Sequence, residues 1–363
     1  MSHLEFVLAL HRAVSSDPRE QVCWSPFSVA SALGLVAQGA RGASRAELVD
    51  LLGDLDELST AVAEASRLGK PEPDEDAPAI AVANTLWADA SIQIEKSFAD
   101  ELARWSGGAV RNAPFRAEPE KARAAINADV AETTRQLIKE LLPEGAIHED
   151  TVSALVNALY LRCAWRNKFT EGATETRPFH APNGVVEVPT MVLDERTGYA
   201  SLDGWQVVTL PAVGGVEAVV LLPDGDLADA EPALTGASLS ALVEAPQPAQ
   251  ISLRFPKLSV STRAELSEPL RALGVRTVFG NNADLRGISE QSLAVQAILH
   301  ESVLKIDEQG LEGAAATAVM MRLLSLPPEP VVVVVDRPFL LLVRHARTGV
   351  VYFVTRVVDP SQE

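Results

Sequence analysis

Aromatic residues make up only 5% of this 363-residue chain, so aliphatic side chains and alanine have to fill its interior. Positive charge is also scarce. Lys and Arg number 31 against 49 Asp and Glu, a net charge of -18. A surface of that sign repels phosphate backbones, polyanionic sugars and anionic lipid headgroups, which argues against nucleic acid or a membrane as partner. No apolar run approaches the ~20 residues a spanning helix needs. The two cysteines, Cys23 and Cys163, are too few for a disulfide framework. Both lie in apolar stretches and read as buried free thiols. The six histidines show no metal-ligand spacing, and nothing calls for a cofactor. A signal peptide's basic residues followed by an uninterrupted apolar run are missing from residues 1–15. Instead Ser2 and Glu5 form a capping box, with Leu4, Val7, Leu8, His11 and Val14 on one helical face. The compartment stays open between the cytoplasm and a mature extracellular form.

What is present is ordinary globular material, 47% hydrophobic and 22% charged, with no internal repeat and no composition break. A single domain over residues 1–363 follows. Ser25 can cap a helix, with Pro26 at its first position and Gly39 as a left-handed stop. The body of that helix is apolar or small on every side, which belongs inside a protein. Residues 69–78 are acidic and proline-rich and read as a surface loop. The pattern predicts helices over 94–105, 119–142 and 263–273. Strands are predicted over 80–87, 151–161, 207–210, 217–222, 251–260 and 302–306, and near the end of the chain over 331–335, 340–343 and 350–354. Helices dominate the first half and strands the second, which is an α+β arrangement.

One segment fits neither habit. Residues 308–330 are small in their first half, apolar in their second, and bounded by glycines and prolines. Taken with a period of two, Leu311, Gly313, Ala315, Thr317, Val319, Met321 and Leu323 share one uncharged face. Both charges, Glu312 and Arg322, fall on the other. The small residues give weak strand propensity, so the segment suits a loop in one state and a central strand in another.

Several motifs resemble those of the serpin family, in order, along nearly the whole chain. They include Val22-Cys23-Trp24-Ser25-Pro26-Phe27-Ser28 with Gln38-Gly39-Ala40-Arg41-Gly42, then Asn84-Thr85-Leu86-Trp87, Ile126-Asn127 and Thr133-Thr134. Val156-Asn157-Ala158-Leu159-Tyr160 leading to Trp165 and Phe169 follows, with Ala283-Asp284-Leu285-Arg286-Gly287-Ile288. His300 to Gly310, Asp336-Arg337-Pro338-Phe339 and Val357-Val358-Asp359-Pro360 complete the series.

The resemblance implies a serpin-like α+β fold with three β-sheets, eight or nine helices and an exposed reactive loop on a metastable monomer. It implies an inhibitor rather than an enzyme, with no catalytic residue of its own. Its targets would be serine proteases, chymotrypsin-like ones first and elastase- or subtilisin-like ones next. In the register that the resemblance implies, counted from Gly310 and from the Ser325-Leu326-Pro327-Pro328 run, the cleaved bond would be Leu324-Ser325, and Arg322 would offer a trypsin-like site only if that register slipped by two. Met320, Met321, Arg322 and Leu323 would set specificity. Glu308, Gly310, Leu311, Gly313, Ala314, Ala315, Ala316 and Thr317 would be the hinge. Ser25, Ser28, Asn157 and His300 match the family's shutter under the main sheet, and Trp165 its breach. Leu311 and Thr355 depart from the family's usual Thr and Gly. A carrier, chaperone or storage role is the implied alternative.

Overall fold

The computed structural model describes residues 2–71, 77–102, 108–312 and 329–362. Nine α-helices occur among them: α1 His3–Val14, α2 Pro26–Gly39, α3 Gly42–Leu52, α4 Leu55–Ala65, α5 Lys96–Leu102, α6 Pro119–Thr133, α7 Leu227–Ala230, α8 Gly236–Glu244 and α9 Ser267–Ala272. The strands of the first half are β1 Val22–Trp24, β2 Ala79–Asp89, β3 Gly108–Ala113, β4 Ser153–Ala164, β5 Glu175–Ala181 and β6 Gly184–Leu202. Those of the second half are β7 Trp205–Pro211, β8 Val216–Pro223, β9 Gln247–Pro256, β10 Leu258–Glu265, β11 Ile298–Ile306, β12 Gly310–Leu311, β13 Val331–Val334, β14 Phe339–His345 and β15 Val351–Val357.

One sheet has six strands in the order β10-β11-β12-β4-β2-β3. The other nine strands form a continuous ladder, β1-β15-β14-β8-β7-β6-β9-β13, with β5 also on β6. The long β6 makes this continuity. Its first part pairs with β5, its middle with β9, and its end, from Gly198, with β7. Counted once in each neighbourhood, β6 divides the ladder into two sheets and gives the three expected from the resemblance.

Helix α2 is buried nearly throughout and lies between the sheets, as an all-round apolar helix must. Ser25 caps it by accepting from the Ser28 N–H at 3.1 Å. Gly39 is not the left-handed stop the sequence suggests; the helix runs through it to Ala40. A Cβ at Gly39 would sit 2.1 Å from Ile288 Cγ1, so close packing is what demands glycine there. Three other elements differ from the sequence pattern. The predicted helix over 119–142 ends at Thr133, because Arg135 and Gln136 adopt positive φ and the Thr134 hydroxyl bonds locally to Val130 O. The strand predicted over 251–260 is two strands in different sheets, β9 and β10, changing direction at Pro256-Lys257. The helix predicted from 263 begins only at Ser267, since Arg263 to Glu265 still pair with β11. Cys23 and Cys163 are free and buried, and burial pushes both thiols up to about 12. Thr355, in place of glycine, donates to Cys23 Sγ at 3.3 Å.

A buried ionic cluster ties the first helix to the last strand. Arg356 is 1% exposed and donates to Glu231 from Nε, at 2.6 Å, and from Nη2. His11 Nε2 lies 3.2 Å from Glu231 Oε1, while Trp24 Nε1 donates to His11 Nδ1 at 3.0 Å. Nδ1 is therefore an acceptor, and His11 is neutral with its proton facing Glu231. Burial alone would raise the Glu231 carboxyl, but the bonds from Arg356 and His11 outweigh it and bring the pKa down to about 2. Glu231→Gln should leave Arg356 uncompensated and remove about 3–5 kcal/mol of stability, read as a lower urea midpoint at pH 7. The lowered pKa makes this contribution full above about pH 4.5 and lost as pH falls toward 2, so wild type and variant should converge in acid.

Candidate functional site: the seam of the main sheet

β11 and β4 lie side by side and parallel, but pair with each other only from Ile298–Glu301 against Leu155–Ala158. Above that stretch β12 stands between them. Leu311 pairs with Ile306 on one side and Cys163 on the other, and Gly310 with Ala164. Two of the residues expected at the hinge, Gly310 and Leu311, thus lie in the sheet as a two-residue strand.

Tight packing explains its residues. A Cβ on Gly310 would lie 2.2 Å from Cys163 O, so the hinge glycine serves close approach rather than freedom. Leu311 is 1% exposed within the core under the sheet. Its departure from threonine gives the hinge an apolar anchor, on the order of 1.5–3 kcal/mol of burial. The approach to the strand is fixed as well. Trp165 Nε1 donates to Asp307 O at 2.9 Å, and the Trp165 N–H donates to Gln309 O. Glu308 pairs with Lys257 at 2.8 Å and accepts from Thr174. Burial opposes that carboxylate, yet the bonds from Lys257 and Thr174 still hold its pKa below the usual value. After Leu311 the chain turns out of the sheet at Glu312, where φ is 57°. Of the predicted hinge, Glu308, Gly310 and Leu311 are thereby placed. Gly313, Ala314, Ala315, Ala316 and Thr317 lie outside the described residues. So do Met320, Met321, Arg322, Leu323 and the Leu324-Ser325 bond.

The four predicted shutter residues meet in one network under the paired part of the seam. His300 Nε2 accepts from the Ser25 N–H at 3.0 Å, so the ring proton is on Nδ1 and goes to Asn157 Oδ1 at 2.8 Å. Asn157 Nδ2 donates to Ser28 O at 2.8 Å and to Asn84. Asn84 Nδ2 donates in turn to Ser31 Oγ at 2.8 Å, and Ser302 Oγ lies 2.8 Å from His300 Nε2. His300 and Asn157 are also direct cross-strand partners, so their side chains clasp β11 to β4. Ser31, Asn84 and Ser302 are members that sequence reasoning missed. Ser25, Ser28 and Ser31 recur every three residues on α2, and Ser302 follows His300 by two on the same strand face; both spacings are legible. The cluster has no hydrolase geometry. His300 meets the backbone of Ser25, whose hydroxyl caps α2, and Ser25, His300 and Ser302 are each at most 1% exposed, out of reach of a substrate.

The short strand β12 thus stands between β11 and β4, above the stretch where the two pair directly over a buried polar network. Over residues 2–360 the chain matches the family Serpin (serine protease inhibitor). It is 34% identical to Iripin-2 of Ixodes ricinus, over 97% of this chain and 91% of that protein. It is 31% identical to Serpin-Z2B of Oryza sativa subsp. japonica, over 98% and 96%. Among solved structures it resembles a thyroxine-binding globulin complex with thyroxine, with a TM-score of 0.87 at 23% identity, covering 99% of this chain and 98% of that one. Uncleaved ovalbumin gives 0.85 at 22%, again over 99% and 98%. The chain belongs to the serpin family, a family of serine protease inhibitors.

Burial lowers the His300 pKa to about 3. The unfolded imidazole, near 6.5, takes a proton that the folded one refuses. Stability is therefore full above about pH 6.5 and declines as pH falls toward 3, at about 1.4 kcal/mol per pH unit for this group. Urea unfolding from pH 7 to pH 5 should show this slope, and His300→Gln should flatten it by close to one proton. An unchanged slope would count against a neutral clasp.

Proposed function

We propose that the chain is an inhibitory serpin that traps serine endopeptidases by inserting its cleaved loop into the main sheet. The protease serine attacks the Leu324 carbonyl and forms an acyl-enzyme with its own catalytic groups. The freed loop then enters between β11 and β4, carrying the acylated protease before water can release it. A leucine at the cleaved bond, with apolar Met320, Met321 and Leu323 before it, suits a chymotrypsin-like pocket.

One observation carries this reading. Ile298 stands opposite Leu155, and eight residues further along each strand Ile306 stands opposite Cys163 across Leu311. The seam therefore has the same register where it is closed as where the hinge fills it. Insertion needs β11 and β4 to move apart sideways, with no slip along the strands. Continued downward in this register, Val319 comes opposite Leu155 and Ile298. Thr317, the one hydroxyl on the loop's core face, comes opposite Asn157 and His300, where polar partners wait. A dozen or so new ladder bonds at about 1 kcal/mol net each, with the core-face side chains, supply on the order of 10–20 kcal/mol. The closed pairing that must be broken spans four residues. From Leu311 to Leu324 the inserted strand would carry the bond ~43 Å, at ~3.3 Å per residue.

Incubation with a panel of serine proteases tests the reading. A chymotrypsin-like enzyme should give an SDS-stable covalent complex, with mass spectrometry locating the cut at Leu324-Ser325. Cleavage without a complex or a gain in heat stability would favour the carrier or storage alternative. Thr317→Arg should bury a charge beside His300 and turn the inhibitor into a substrate. An unchanged stoichiometry in that variant would contradict insertion in this register.

A further inference from the structure

Between the start of α1, the first turns of α2 and α4, and the turn joining β14 to β15 lies a cavity of about 240 Å³. Its floor is apolar and buried: Phe6, Phe27, Ala30, Val62 and Val350 are each at most 5% exposed. Its mouth is polar and faces solvent, with Asp54 and Glu57 both exposed. We propose that this cavity binds a small organic cation with an aromatic body, an arylalkylamine by chemical class. The proposal goes beyond the inhibitor reading and does not rest on it.

The pattern of α4 supplies the first part of the argument. Asp54, Glu57, Leu58, Ala61 and Val62 have the spacing of one helical face, and all five line the cavity. That face is acidic at the start of the helix and apolar beyond it, so one wall orders charge at the mouth and apolar surface at depth. The hollow persists because small residues face it, Ala30 from α2 and Ala61 from α4. An apolar cavity of about 150 Å³ accepts benzene, so this larger one has room for a two-ring body. The Phe6 and Phe27 rings in its wall suit an aromatic guest in edge or offset contact.

The sign of the ligand follows from the groups at the mouth. Asp54 Oδ1 accepts from the Asp56 and Glu57 N–H groups at 2.9 and 3.0 Å and caps α4, leaving Oδ2 uncommitted among the described residues. Arg347, on the turn beside Thr348, is engaged by Glu64 instead. His3 Nε2 accepts from the Val351 N–H at 2.9 Å, and burial lowers the ring's pKa to about 4, so His3 is neutral at pH 7 and adds no positive charge. The mouth is therefore negative, on a chain whose net charge is -18, and it attracts cations and repels anions. An ammonium group there donates to the two carboxylates while its aromatic body covers the apolar floor.

Calorimetric titration of the full chain with three indoles of similar shape tests the proposal. Tryptamine is cationic at pH 7, tryptophol neutral and indole-3-propionate anionic. Tryptamine should bind with a dissociation constant on the order of 0.1 mM at low ionic strength. It should bind about fivefold more tightly than tryptophol, and indole-3-propionate more weakly than either. Asp54→Asn retains a good helix cap; combined with Glu57→Gln it should weaken tryptamine about tenfold and leave tryptophol in place. Ala61→Phe fills the hollow from α4 and should abolish binding of both, and the milder Ala61→Leu should weaken both alike. Equal affinity for the three indoles, or tryptamine binding unchanged by loss of the carboxylates, would overturn the assignment of a cation. No tryptamine binding at millimolar concentration, or binding indifferent to both substitutions at Ala61, would overturn the site itself.

Discussion

β11 and β4 hold each other by backbone bonds over Ile298–Glu301, and His300 grips Asn157 across that same stretch. The rest of the architecture turns on this short clasp. The strands' outer edges are fully committed, β4 to β2 along ten residues and β11 to β10 along eight. Their inner edges meet each other for four residues and then separate around Leu311. The pairing of β11 and β4 is thus long on both flanks and short between them, and a buried polar network joins them there; Ser28 enters it through its backbone O, its own hydroxyl having no hydrogen-bond partner among the described residues.

The same network gives the seam a defined direction of failure. Its donors and acceptors come from α2, β2, β4 and β11, so parting the strands breaks side-chain bonds on both sides of the seam. A neutral imidazole is required at the centre because Nε2 must accept from Ser25. At the other end of the paired stretch, Gly310 and Leu311 stand between the two strands, with Leu311 buried among apolar neighbours. The Glu231–Arg356–His11 cluster is linked to this region through Trp24, which donates to His11 and directly precedes Ser25, the partner of His300.

Much of this was legible in the sequence. The ordered motifs identify the family and point to four residues of the polar network, while most of the period-two segment 308–330 lies outside the described residues. The buried α2 follows from its unbroken apolar surface. What was not legible depends on contacts between distant elements. Gly39 and Gly310 look like flexible positions, yet both are glycine because Ile288 and Cys163 crowd them. The helix over 119–142 is interrupted by two residues with positive φ that carry no glycine. Asn84 became a functional candidate only when strands and a helix converged, whereas Ser31 and Ser302 were marked by their spacing from Ser28 and His300. The matching register on either side of Leu311 has no signature in the sequence at all.

The central claim is that the seam opens sideways and keeps its register. A crystal structure of the protein cleaved in its loop measures this directly. The account requires a continuous strand from Gly310 onward between β11 and β4, with Thr317 beside Asn157 and His300, and Val319 opposite Leu155 and Ile298. A cleaved loop outside the sheet with Ile298–Glu301 still paired to Leu155–Ala158, or an inserted strand shifted by even one residue, would contradict it.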